Sequence, residues 1–303
     1  MATTLDSLLE RKPVLIADGA MGSLLAERAT SRGVSPPVAL DQIAIDCPKW
    51  VEEIHREYAS AGSNILLTNT FAATKYQLER RRTSTRLEQL LRQAAQTARD
   101  AAGDDRLVFG DLGPIGDFFA PMGKLTREAA IASYRERARL LTETALLDGL
   151  LVETQTDRNE VKCAIEGIRS VCDLPLAITM SFDAHGRTMM GVRPEELATL
   201  AVEKDVAFVG ANCGRTIEET YTALKAMRDV APGIKLWAKP NAGLPTMQDG
   251  VLNYTVDPEA FGRWAVRFAE LGVRVFGGCC GTTPQHIVQA VALLGGSNCG
   301  SAT

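Results

Sequence analysis

VRVFGGCCGTTPQHI, residues 273–287, opens as a strand and closes as a helix. Its first six residues are a short apolar run, and seven similar runs precede it. They are PVLIAD (13–18), NILLTN (64–69), RLVFGD (106–111), GLLVET (149–154), PLAITM (175–180), VAFVGAN (206–212) and IKLWAK (234–239). Each has the length of a buried strand, and near-continuous apolar character fits parallel strands covered on both faces. Between them lie longer helical patterns: CPKWVEEIHREYASAG (47–62), RLEQLLRQAAQTARDAAG (86–103), LTREAAIASYRERARLLTETA (125–145) and DPEAFGRWAVRFAELG (257–272) among others. Several open on Asp, Thr or Pro and close at Gly, as helix caps do. Eight strand–helix units predict an α/β chain folded as a single (β/α)8 TIM barrel. An open doubly wound sheet shares the alternation, but the count of eight and the lack of a GxGxxG fingerprint favour the barrel.

The chain has 303 residues, 46% hydrophobic and 23% charged, with a net charge of −4. The expectation is one domain over 1–303, its core at about 13–294, with the tail GGSNCGSAT after Leu294 left loose. A net negative charge gives no electrostatic case for nucleic acid or an anionic membrane. No apolar stretch reaches the roughly 18 residues of a membrane-spanning helix. The start, MATTLDSLLERKP, lacks the order of a signal peptide, so the expected location is cytoplasmic. The seven cysteines, at 47, 163, 172, 213, 279, 280 and 299, then read as reduced thiols.

In such a barrel, chemistry belongs to the loops after the C-terminal strand ends. Those ends carry Asp18, Gly19 and Ala20 in DGAMGS, Asn69 and Phe71 in TNTF, and Asp111 in GDLGP. They also carry Glu153 in VET, Asn212 and Cys213 in GANCG, Asn241 in KPNAG, and Cys279 with Cys280. Adjacent cysteines make a poor disulfide, because bridging them closes a strained ring across one peptide bond. Two thiolates aimed at one metal is the alternative, with Cys213 as a third ligand two strands away. Three thiolates and an open position describe a catalytic zinc site. GTTPQHI reads as a helix start with Thr282 or Thr283 as cap, whose positive end is expected to lower the pKa of Cys279 and Cys280. The competing reading is that free cysteines are small buried hydrophobes. It suits Cys163 and Cys172, expected in the helix after the fourth strand, and Cys47; Cys299 falls in the polar tail.

Asp18 and Glu153 are carboxylates at the ends of apolar strands. They are either helix caps or the receptor for a substrate ammonium, since a lone buried charge is costly. Backbone amides at Gly19, Ala20 and Gly22 are suited to hold a carboxylate. Together these describe an amino-acid pocket. His55 falls mid-helix, His185 in a turn, and His286 in the first turn of the last helix, where a capping or solvent-facing role competes with metal ligation.

DGAMGS, TNTF, GDLGP, VET, GANCG, KPNAG and GGCCGTTP occur in this order over about residues 13–294, and the set resembles the homocysteine S-methyltransferases. TNTF and PNAG look most like the homocysteine-binding module of cobalamin-dependent methionine synthase. The resemblance implies one zinc held by Cys213, Cys279 and Cys280, with the sulfur of L-homocysteine in the fourth position. It implies Asp18 and Glu153 as contacts to the amino acid, and Gly19, Ala20, Asn69, Phe71, Asn212 and Asn241 complete the expected substrate-binding set. Thr154 stands where betaine-dependent relatives carry an aromatic, which counts against betaine.

The implied reaction is methyl transfer to the homocysteine thiol, giving L-methionine. A free thiol is mostly protonated near pH 7, and binding to zinc as thiolate removes the need for a base at the moment of attack. These residues hold no segment for a corrinoid or folate domain, so the expected donor is a methyl-corrinoid presented at the mouth by a separate chain or as free methylcobalamin. A sulfonium, S-methylmethionine or S-adenosylmethionine, is the runner-up. Two other classes remain: a barrel using zinc for hydrolysis, which an all-thiolate ligand set disfavours, and a non-enzymatic zinc or thiol-binding protein.

Overall fold

The computed structural model describes residues 3–34, 40–82, 85–183, 185–248 and 251–297. Its strands are β1 (Leu15–Ile16), β2 (Ile65–Leu67), β3 (Leu107–Leu112), β4 (Gly149–Gln155), β5 (Leu176–Met180), β6 (Phe208–Cys213), β7 (Lys235–Pro240), β8 (Pro245–Gln248), β9 (Val251–Tyr254) and β10 (Val273–Phe276). Eight of these form one parallel sheet in the order β1-β10-β7-β6-β5-β4-β3-β2. A parallel bridge between Ala17 and Ile65 joins its two edges. There the Asn64 amide donates to Ile16 O at 2.6 Å and the Asp18 amide to Ile65 O at 3.0 Å. The sheet is thus a (β/α)8 barrel, and its eight strands lie on the eight apolar runs.

The helices form because their apolar residues recur every three or four positions. Leu87–Ala102 buries Leu87, Leu90, Leu91, Ala94, Ala95, Ala98, Ala101 and Ala102, one stripe facing the sheet. Side-chain caps start several of them: Thr126 accepts from Ala129 N, Asp257 from Ala260 N, and Thr216 with Glu219 closes a capping box.

Burial divides into two layers. One lies between sheet and helices; the other fills the barrel with Leu15, Ile65, Leu67, Leu107, Phe109, Leu151, Phe208, Trp237 and Val275. Trp237 sits between Phe109 and Phe208, with ring centroids at 5.5 and 5.6 Å. The helix Leu5–Arg11 adds Leu5 and Leu8 to this inner layer, closing the floor. Arg274 holds it there through Leu9 O (2.6 Å) and Lys12 O (3.2 Å). Burying each such Leu or Phe contributes about 1.5–3 kcal/mol.

Three details differ from the sequence reading. The antiparallel hairpin β8–β9 follows β7. The last helix, Pro284–Ser297, runs through Gly295 and Gly296, so the start of the expected loose tail is helical; Cys299 lies outside the described residues. Cys172 sits beyond the helix that ends at Arg169, although it is buried as expected.

Candidate active site

The GGCCG loop leaves β10 and is built into the barrel rim by its backbone. Gly277 N donates to Ala238 O, Gly278 N to Asp18 O and Cys279 N to Pro240 O, at 2.8–2.9 Å, and Cys280 O accepts from Ala242 N. Thr282 donates its hydroxyl to Cys279 O (2.7 Å) and accepts the Ala20 amide (3.1 Å). Tyr58 Oη lies within hydrogen-bond reach of both Ala20 O and Thr282 O. The glycines answer to this crowding. A Cβ on Gly278 would lie 2.2 Å from Thr282 Oγ1, and Gly281 has φ +78 with the Tyr254 ring 2.2 Å from where its Cβ would be. Tyr254 comes from the hairpin that the sequence reading missed, although an Asp-Gly pair at 249–250 between two short runs was the available signal.

The sulfurs of Cys213, Cys279 and Cys280 all lie within 4.8 Å of one another. Cys213 has φ +60, a left-handed backbone costing about 1–3 kcal/mol in a non-glycine residue. Their acidity does not follow the helix-dipole expectation. For Cys213 the Cys279 thiol lowers the pKa and the Cys280 thiol raises it, and with burial it stands at about 11. The Cys280 thiol, lowered by Cys213 but raised by Cys279 and burial, is pushed up to about 12, and Cys279 is raised by Cys213 and burial. The helix begins at Pro284, where the sequence places it, but burial and mutual contact raise all three thiols. Three crowded, half-buried thiols that stay protonated alone are a donor set suited to a soft divalent cation, which deprotonates its thiol ligands.

Beside the thiols lies a buried charge cluster. Lys239 Nζ is 3.6 Å from both Asp18 Oδ1 and Glu153 Oε2, ionic contacts too long for hydrogen bonds. Asp18 Oδ1, Glu153 Oε2 and Asp111 Oδ1 have no hydrogen-bond partner, although all are buried. Burial pushes the Asp18 carboxyl up to about 6 against the pull of Lys239 and the Leu67 amide. Asp111 is raised by burial and by the charge of Glu153, to which it also hydrogen-bonds. Lys239 pays the same burial cost but is held charged by Glu153 and Asp18. A bulge between Val152 and Gln155, with Thr154 at φ +57, aims Glu153 into this cluster.

The remaining expected residues divide. Asn212 borders Cys279, with Nδ2 at 3.9 Å from Sγ, but its amide is otherwise held by Thr154 and Thr179. Asn241 donates to Gly214 O, and its buried Oδ1 is unpartnered. Gly19 is packed against Thr282 and Tyr58, while the Ala20 amide, expected to be free, is held by Thr282. Asn69 bonds Leu40 O, in the connection between β1 and β2, and the partially exposed Phe71 accepts the Gly113 amide after β3, so their partners are not among the thiols. Thr283 N donates to His286 Nδ1, and Nε2 of that ring meets Val256 O. His286 is therefore a buried cap, neither solvent-facing nor a ligand. Cys163 is buried under the helices, Cys47 packs against the core from the start of the helix Pro48–Ser60, and His185 is exposed in its turn.

The sequence reading did not select Lys239 or the rim tie Tyr58. A signal for Lys239 existed. It lies two residues after Trp237 on β7, as Asp111 follows Phe109 and Glu153 follows Leu151, and side chains two apart on a strand share a face.

Thiol triad and carboxylate cluster thus meet at one mouth of the barrel. The model of the family described as homocysteine S-methyltransferase matches residues 15–294, and the chain belongs to that family. It is 27% identical over 314 residues to the methionine synthase of Mycobacterium leprae (strain TN), covering 98% of this chain and 25% of that protein. It is 29% identical over 304 residues to the methionine synthase of Mycobacterium tuberculosis (strain ATCC 25618 / H37Rv), covering 96% and 25%. The chain thus spans about a quarter of the length of these relatives. The metallated form of the homocysteine methyltransferase MmuM from Escherichia coli shares the fold, with a TM-score of 0.79, 23% identity, and 95% and 99% of the two chains covered. Among the described residues, no helix is long and apolar enough to cross a membrane.

Proposed function

We propose that this barrel transfers a methyl group to the thiol of L-homocysteine, giving L-methionine, with zinc held by Cys213, Cys279 and Cys280. The observation that carries the reading is the thiol triad placed beside buried carboxylates whose oxygens lack partners. When bound, zinc supplies thiol activation, lowering the acceptor's pKa so that a nucleophile exists at neutral pH. The three cysteines leave one usual zinc position for the acceptor. Their negative charge keeps its sulfur electron-rich. Asp18 Oδ1 and Glu153 Oε2 receive its ammonium, while Asp18 Oδ2 stays fixed on the Leu67 amide at 2.8 Å. Gly19 and the first turn of the helix Met21–Ser31 present amides to its carboxylate. The sulfur would then attack the donor methyl in line, the donor leaving with the electron pair of its broken bond to the methyl carbon, and no residue would have to take a proton at that moment.

The donor in this reading is a methyl-corrinoid presented at the mouth from outside the barrel, for instance by a corrinoid protein. Its support is the rim itself. Phe71, Phe118, Met122, Met189 and Leu244, in loops after β2, β3, β5 and β7, are exposed apolar side chains, residues of the kind a large partner covers. Phe71 and Phe118 also suit a sulfonium, whose charge favours aromatic faces. The test supplies the zinc-loaded protein with homocysteine and one donor at a time and measures methionine. Methylcobalamin is expected to support turnover. Turnover with S-methylmethionine or S-adenosylmethionine alone overturns the donor assignment, and no homocysteine binding at all overturns the whole reading. A cytoplasmic location is part of this proposal.

A further inference from the structure

The place proposed above for the acceptor's ammonium already contains a cation. Lys239 Nζ stands 3.6 Å from each of the two carboxylates that define it. Lys239 and Asp18 are almost fully buried, so solvent does not screen this arrangement. Two ammonium groups cannot share two carboxylates in a low-dielectric site without strong repulsion. A third buried carboxylate, Asp111, lies against Glu153, and its Oδ1 is unpartnered. Burial and the neighbouring charge of Glu153 disfavour an ionised Asp111 in the free protein, so Asp18 and Glu153 are the charges that face Lys239 there, and a second cation in the site favours the ionised form of Asp111.

We infer that Lys239 is a tethered counter-ion that selects the acceptor: it fills the ammonium subsite in the free protein, yields it to the acceptor's ammonium, and is taken up by Asp111. This rests on the acceptor reading above. Lys239 moves only at its flexible end, because its backbone is held in β7 opposite Asn212 of β6. An acceptor without an ammonium leaves Lys239 in place and gains nothing from the carboxylates. The site thereby discriminates by charge among thiols that the cysteine triad alone would accept equally.

The test uses the zinc-loaded protein and calorimetry with two probes, homocysteine and 4-mercaptobutyrate, the same thiol acid without the amine. The readout is the ratio of their affinities. Lys239→Met removes the competing cation and is expected to raise the ratio about tenfold, the size of one charge-assisted contact. Asp111→Asn removes the receiving carboxylate and is expected to lower it by a similar factor. The double variant is expected to follow Lys239→Met, since with no lysine to receive, Asp111 loses its role. Thermal unfolding of each variant checks the fold, and Asp111→Asn keeps the inference testable if Lys239→Met does not fold. An unchanged ratio in a folded variant, or a fall in Lys239→Met, overturns the inference while leaving the acceptor reading intact. Failure of homocysteine to bind the unaltered protein overturns both.

Discussion

The floor and the mouth of the barrel are built from the same strands to opposite purposes. On β3, β4 and β7 the inward residues Phe109, Leu151 and Trp237 belong to the apolar filling, closed below by Leu5 and Leu8. Two residues further along the same strands stand Asp111, Glu153 and Lys239, buried and ionisable. One step of the strand repeat therefore separates an apolar layer, in which the Trp237 Nε1 is a buried polar atom without a partner, from one holding three carboxylate oxygens without partners. The comparison teaches where each layer's free energy goes. The floor contributes stability through burial. The mouth gives some of it up, since unsatisfied buried polar groups cost about 1–3 kcal/mol each, and a group that binds there recovers it.

If the two ends are as separate as this, changes at one should leave the other's observable untouched. The largest effect is expected from Cys213, Cys279 or Cys280→Ala. Zinc content should fall from about one per chain to none, with methionine formation lost and only a modest change in unfolding temperature. Metal analysis of Cys280→Ala settles this, and full occupancy breaks the ligand assignment. Next comes Phe109→Ala at the floor, expected to cost about 3–5 kcal/mol of stability in denaturant unfolding with zinc retained. A loss of zinc in a folded Phe109→Ala protein would show that the layers are coupled.

Asp18→Asn and Glu153→Gln should each weaken homocysteine binding by about 2 kcal/mol, as for a charged hydrogen bond lost at a shielded site. Unchanged calorimetric affinity in both rules out the ammonium receptor. Acidity sharpens the same point. Burial raises the Asp18 carboxyl to about 6, so it is ionised above that pH and protonated below. Homocysteine binding should therefore weaken as pH falls through 6, and that inflection should vanish in Asp18→Asn. The smallest effect belongs to Cys163→Ala, a buried thiol outside the barrel: about 1 kcal/mol of stability and no change in zinc.

Much of this was legible in the chain because strands and helices write short-range periods into the sequence. The eight apolar runs place the eight barrel strands, and the motif ends place Cys213, Cys279, Cys280, Asp18 and Glu153. Lys239 escaped notice because a lysine ending an apolar run reads as a strand reaching solvent, and only the closed barrel turns that end inward. Tyr58 escaped because a tyrosine on an amphipathic helix reads as packing. Its hydroxyl reaches the β1 and β10 loops only once the barrel joins them.

By itself the sequence determined the element order, the barrel count, the two-residue alternation that puts ionisable groups above apolar filling, and the three thiols of the candidate metal site. Tertiary structure alone decided which of these groups meet. The sulfurs converge because β6 and β10 flank β7, and the cation facing Asp18 and Glu153 is the protein's own lysine. It also decided that the Ala20 amide serves Thr282. The physical reason is range: periodicity and capping act over a few residues, whereas the electrostatics of a buried cluster depend on side chains from β1, β3, β4 and β7, which only closure of the sheet brings together.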